Sequence, residues 1–86
     1  MRKGVPIMPY NTHITGQVIG KLRVERGLTQ EQLSGLANIG RSHLTAIETG
    51  KKSASVDTLW KIAEALNMPL SSLFRLVEAA HREQNR

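Results

Sequence analysis

The sequence predicts an all-α fold: one small domain of five short helices. Apolar residues recur at intervals of three and four, as in Ile14, Val18, Ile19, Leu22 and again in Leu70, Leu73, Phe74, Val77. Helix punctuation separates these runs, with a capping pattern at Thr29-Gln30-Glu31-Gln32, then Asn38, Ser55 and Pro69. Strand signals are absent throughout. A length of 86 residues leaves room for one domain, and a hydrophobic content of 40% is enough for a compact core.

Residues 1–11 hold Gly4, Pro6 and Pro9 without helical period and read as a flexible arm, with Met8 an alternative start. The first helix is expected over 12–26, stopped by Gly27. Val24 falls opposite its apolar stripe. The second opens on the capping box, in which Thr29 caps and Gln32 reaches back. It carries Leu33, Leu36 and Ala37, and stops at Asn38, one of the few non-glycine residues tolerant of a left-handed backbone. The third starts at Gly40 or Arg41 and ends near Thr49-Gly50. At 100° per residue, Leu44 and Ile47 point inward while Ser42, Thr45, Ala46 and Thr49 cluster outward, with Arg41 at the edge. Ser55 caps the fourth helix, Asp57 favours its N-terminal dipole, and Val56, Leu59, Trp60, Ile62, Ala63 and Leu66 form one apolar arc. The fifth follows Pro69 into the 80s, with Leu70, Leu73 and Phe74 completing the core. The domain thus spans 12–76, and 77–86 extends the last helix.

Twelve Lys+Arg against seven Asp+Glu give a formal charge of +5 and a pI near 10.3. That balance favours a polyanionic partner, nucleic acid before an anionic membrane. With no cysteine there is no disulfide framework, thiolate nucleophile or Cys-based zinc site, and a cytoplasmic location is expected. No apolar run approaches the ~18 residues that span a bilayer, and Pro6 and Pro9 interrupt any signal-peptide core. Only Tyr10, Trp60 and Phe74 are aromatic, too few for base stacking on single strands. His13, His43 and His81 fall on different elements without metal-ligand spacing. Glu78-Ala79-Ala80-His81 matches half of a di-iron motif whose other half is missing. Gly16 to Gly20 spells GxxxG, a pattern with little meaning outside an apolar 20-mer. No catalytic residue, cofactor or metal is expected, and the chain does not read as an enzyme.

The stretch Leu28-Thr29-Gln30-Glu31-Gln32-Leu33-Ser34 through Ile47-Glu48-Thr49-Gly50-Lys51 resembles the helix-turn-helix of the lambdoid repressor/Cro (xenobiotic-response-element, XRE) family. Arg23, Ile39, Leu44, Leu59, Ile62-Ala63 and Ala65-Leu66 extend the likeness over roughly 19–74. Small Ser34 suits the crossing of two helices, and Asn38 suits the sharp turn between them. The family usually has alanine at Ser34, glycine in the turn, proline at Ala54 and a serine-type cap at Pro69.

The resemblance implies a five-helix lambda-repressor-like domain and a sequence-specific regulator of double-stranded DNA, with 41–48 in the major groove. It places Arg41, Ser42, Thr45 and Ala46 toward base edges. Gln30, His43, Thr49, Lys51 and Lys52 would contact phosphates, and Arg23 would pair with Glu48. Taken alone, Lys51-Lys52 is an ordinary solvated loop, and Arg41, Ser42, His43 and Thr45 are ordinary surface residues. Arg2 and Lys3 would reach an adjacent minor groove if the arm acts as in homeodomains.

A homodimer on a palindromic operator is expected, because one such module reads only a few base pairs. Along the fifth helix the apolar residues cover an arc of about 160°, more than a core-facing stripe needs. The surplus, Leu76, Val77 and Ala80, is the expected dimer contact. Two alternatives stand beside this reading: an antitoxin that also binds a toxin, and a protein-interaction module of the same fold. A polymerase contact would be a further partnership.

Overall fold

Three of the five helices start after a side chain that caps them. In the computed structural model, which describes residues 9–84, the Asn11 side chain accepts from the His13 N–H at 2.8 Å and opens α1 (Thr12–Glu25). Thr29 and Gln32 complete the reciprocal capping box of α2 (Gln30–Ala37), with bonds of 3.0 and 2.8 Å. Helix α3 (Arg41–Glu48) starts after Gly40 without a side-chain cap. Ser55 accepts from the Thr58 N–H at 3.1 Å and opens α4 (Val56–Ala65), and α5 (Leu70–Gln84) follows Pro69. Two asparagines take the left-handed conformation at helix ends, Asn38 at φ 57° and Asn67 at φ 59°. Asn67 does for α4 what Asn38 does for α2. No strand occurs among the described residues.

Helix α1 packs on α3 and α5, α2 on α3 and α4, and α4 on α5. Their shared core holds Ile19, Leu22, Leu33, Ala37, Leu44, Ile47, Leu59, Ile62, Ala63, Leu66, Leu73 and Val77. Burying such side chains contributes roughly 1.5–3 kcal/mol each for the larger ones.

Three expectations about the core need correction. On α4, Val56 and Trp60 are exposed (Trp60 at 56%), because they sit at the edge of an arc whose centre is Leu59, Ile62 and Leu66. Leu36 of α2 is likewise exposed. Helix α5 is rotated so that Leu73, Val77 and His81, spaced by four, face inward. Phe74 is therefore 41% exposed rather than core, whereas Val77 is 6% exposed and belongs to the core rather than to the surplus surface.

The inward turn of α5 gives His81 a structural task. Its Nε2 accepts from the Asn11 N–H at 3.0 Å, so Nδ1 carries the proton and donates to the Val77 carbonyl at 2.8 Å. Tyr10 stacks on the imidazole at 5.6 Å between centroids, and its hydroxyl accepts from Thr15 Oγ1 at 2.8 Å. The arm expected over 1–11 thus ends in docked residues. Arg2, Lys3 and Met8 lie outside the described residues.

The GxxxG spacing also has a structural meaning here. Gly16 is buried where α1 crosses the end of α3, and a Cβ there would fall 2.6 Å from the Glu48 carbonyl oxygen and nearer still to that of Ile47. Gly20, one turn on, faces the Glu48 carboxylate. Only a residue without a side chain fits at Gly16.

Candidate nucleic-acid interface

Helices α2 and α3 meet through a tight turn at residues 38–40. The Ile39 N–H donates to the Ser34 carbonyl at 3.0 Å and the Asn38 N–H to the Gly35 carbonyl at 3.2 Å, so the turn is closed by its own backbone. Ser34 is buried at the crossing, and its hydroxyl donates to the Glu31 carbonyl at 3.0 Å. That bond is why serine serves where the family usually has alanine: the polar atom is satisfied within its own helix.

Helix α3 buries Leu44 and Ile47 and turns the opposite face to solvent. Arg41, Ser42 and Thr49 are exposed, while His43, Thr45 and Ala46 are half-buried. Among the side chains of this face none is acidic. The acid of the helix, Glu48, points inward, where Arg23 of α1 grips it through Nε–Oε2 at 2.8 Å and Nη2–Oε1 at 3.1 Å. The third guanidinium nitrogen donates to the Leu28 carbonyl at 2.8 Å. Only 16% of the Arg23 side chain and 7% of the Glu48 side chain is exposed, so the pair is largely desolvated and bidentate. It ties α1, the α1–α2 loop and the last residue of α3 together.

Gln30, placed by the resemblance at a phosphate, also belongs to this cluster. Its Nε2 donates to Glu48 Oε1 at 3.0 Å and its Oε1 accepts from Thr45 Oγ1 at 3.0 Å. These partners lie 18 and 15 residues away in sequence, beyond the reach of any periodicity. Thr49 donates to the Thr45 carbonyl at 2.8 Å, closing the end of α3.

After α3 the chain bends back on itself. The N–H groups of Lys51 and Lys52 donate to the Ala46 carbonyl at 2.9 and 3.2 Å, which fixes the loop to the helix, and both lysines are exposed. Thr12 Oγ1 donates to the Gly50 carbonyl at 3.1 Å, anchoring the same loop to α1. Arg41, Ser42, Thr45, Ala46, Thr49, Lys51 and Lys52 are therefore carried on one rigid helix and its tethered loop, with Gln30 beside them.

The three residues expected at a dimer contact are not brought together. Leu76 is 42% exposed and Ala80 half-buried, both beside Val18 and Lys21 in a shallow groove of about 340 Å³ between α1 and α5. Val77, about 100° round the helix from Leu76, is in the core. No group of three or more metal-ligating side chains occurs among the described residues, and none of their helices is long and apolar enough to cross a membrane.

A family model described as Helix-turn-helix matches residues 19–73. The chain is 37% identical over 67 residues to the uncharacterized HTH-type transcriptional regulator YqaF of Bacillus subtilis, covering 76% of this chain and 88% of that protein. It is 43% identical over 58 residues to the immunity repressor of Bacillus phage phi105, covering 67% of this chain but only 40% of the repressor. Among solved structures, the restriction-modification controller protein C.AhdI from Aeromonas hydrophila superposes with a TM-score of 0.71 at 33% identity, covering 73% of this chain and 96% of that one. A point mutant of the controller C.Esp1396I, bound to its highest affinity operator site OM, gives 0.76 at 26% identity over 81% of this chain and 92% of that one. With the tightly joined helix pair, the acid-free outer face and the tethered basic loop, these likenesses make the chain a sequence-specific DNA-binding transcriptional regulator of the helix-turn-helix family typified by the lambdoid repressors.

Proposed function

We propose that α3 enters the major groove with Arg41, Ser42, Thr45 and Ala46 toward the base edges, while Gln30, His43, Thr49, Lys51 and Lys52 follow the phosphates. The observation that carries this reading is the sorting of charge on α3: Arg41 and the two following lysines are exposed, and Glu48 is turned away and neutralised by Arg23. Each role has a chemical basis. Arginine donates two parallel hydrogen bonds to guanine O6 and N7, and alanine packs on a thymine methyl. Lysines neutralise phosphates and release counterions, adding affinity without sequence information.

The protein would act as a homodimeric repressor on a palindromic operator. The phage immunity repressor among its relatives supports the regulatory sense, and the narrow reach of one recognition helix supports the dimer. Leu76, with Ala80 beside it in the groove along α1, is the part of α5's exposed apolar surface that a second copy would cover, and the exposed Phe74 lies outside that groove.

Reading and gripping separate experimentally. Arg41→Ala is expected to lose about 1–3 kcal/mol on the preferred site and to relax the preference at one base pair per half-site. Lys51→Ala is expected to weaken all duplexes alike and to flatten the salt dependence by about one unit per subunit. Titrations on selected and random duplexes at several salt concentrations measure both. An Arg41→Ala loss that is equal on selected and random DNA would show that Arg41 reads no base.

A further inference from the structure

We propose that Gln30 fixes the polarity of the Thr45 hydroxyl, so that Thr45 selects a base presenting an amino group in the major groove, adenine or cytosine, on the strand it faces. A threonine hydroxyl is ordinarily indifferent. It can donate to guanine O6 or N7 or to thymine O4, and it can equally accept from adenine N6 or cytosine N4. The indifference ends when its single proton is already committed.

The commitment starts at Arg23. Two guanidinium bonds hold the Glu48 carboxylate in place beside Gln30. An ionised carboxylate only accepts hydrogen bonds, so the Gln30 amide must turn its Nε2 toward Glu48 Oε1, at 3.0 Å. The opposite flip would set two oxygens against each other. With Nε2 placed, Oε1 necessarily faces Thr45 Oγ1, at 3.0 Å, and an amide oxygen also only accepts. Thr45 must therefore donate its proton to Gln30. Its remaining capacity is a pair of acceptor sites on the oxygen of Thr45, a half-buried residue of the outward face of α3. Approach of a keto oxygen would place acceptor against acceptor, whereas an exocyclic amino group completes the network.

Gln30 is a positioning residue in this scheme. The second hydrogen on its Nε2 stays available, so a phosphate contact is compatible with it. The inference rests on the reading that α3 presents Thr45 to the bases.

The test is selection of binding sites from random duplexes by the wild type, Gln30→Met, Thr45→Val and Arg41→Ala. Wild type is expected to favour A or C over G or T at one position of a given strand by about five- to tenfold, the scale of one neutral hydrogen bond. Gln30→Met should erase that preference and leave the position governed by Arg41 unchanged, a pattern that general loss of stability or of a phosphate contact does not produce. Thr45→Val, a near-isosteric change at a half-buried position, should erase it too and stands in if Gln30→Met fails to fold. A Thr45-dependent position that favours G or T, or an A/C preference that survives Gln30→Met, overturns the inference while leaving the groove reading intact. If neither Thr45→Val nor Arg41→Ala alters any position, the groove reading itself fails.

Discussion

Gly16→Ala is expected to destabilise the fold by about 3 kcal/mol or more, at the upper end of the usual cost of overpacking. The added methyl would meet the carbonyl oxygens of Ile47 and Glu48, the latter at 2.6 Å, and neither is a side chain that can swing away. Relief requires the end of α3 to move off α1. That movement would pull Glu48 from Arg23 and Gln30 and disturb the recognition helix itself. Gly35→Ala is the matched control. Gly35 is exposed inside α2 and nothing lies within 4 Å of an added Cβ, so helix propensity alone applies and a gain of about 0.5–1 kcal/mol is expected. Denaturant unfolding of both variants measures the contrast. A Gly16→Ala protein as stable as wild type would mean that the close crossing of α1 and α3 does not exist.

Glu48→Ala is expected to cost roughly 3–5 kcal/mol, because it strands a guanidinium in a largely desolvated site. Arg23 would keep only its bond to the Leu28 carbonyl, and Gln30 would lose the acceptor for its Nε2. The pair as a whole need not stabilise the fold, since desolvating both charges offsets much of their attraction. Removing both partners together should therefore recover part of the loss. A double-mutant cycle with Arg23→Ala measures the coupling, and strict additivity would show that the two residues do not act as a unit.

Local features of this fold were legible before any tertiary information. The capping box at Thr29 and Gln32, the left-handed stop at Asn38 and the inward Leu44 and Ile47 all depend on neighbours within a turn or two. The rotation of α5 was not legible. Its apolar residues cover more of the helix than one small core can bury, so Phe74 and Val77 are equally good candidates by pattern and only packing against α1 and α4 decides between them. Trp60 illustrates the same limit on α4, where the arc is wider than the contact.

The interface divides along similar lines. That Arg41, Thr45 and Lys51 lie near one another was legible because a single helix and its following loop carry them. The link from Arg23 through Glu48 and Gln30 to Thr45 joins three helices, and no spacing rule encodes it. His81 was equally silent in sequence. A histidine on a helix near the chain's end becomes the pin for Asn11 and Tyr10 only once α5 returns beside the start of α1.

Two-fold reading of duplex sequence through the outer face of α3 is tested most directly by selecting binding sites from random duplexes with the wild-type protein. The expected result is an enriched motif made of two inverted half-sites, with centres about 10 base pairs or one helical turn apart, bound far more tightly than random DNA. A library that stays unenriched after repeated rounds, with the protein binding selected and starting duplexes alike, would contradict it.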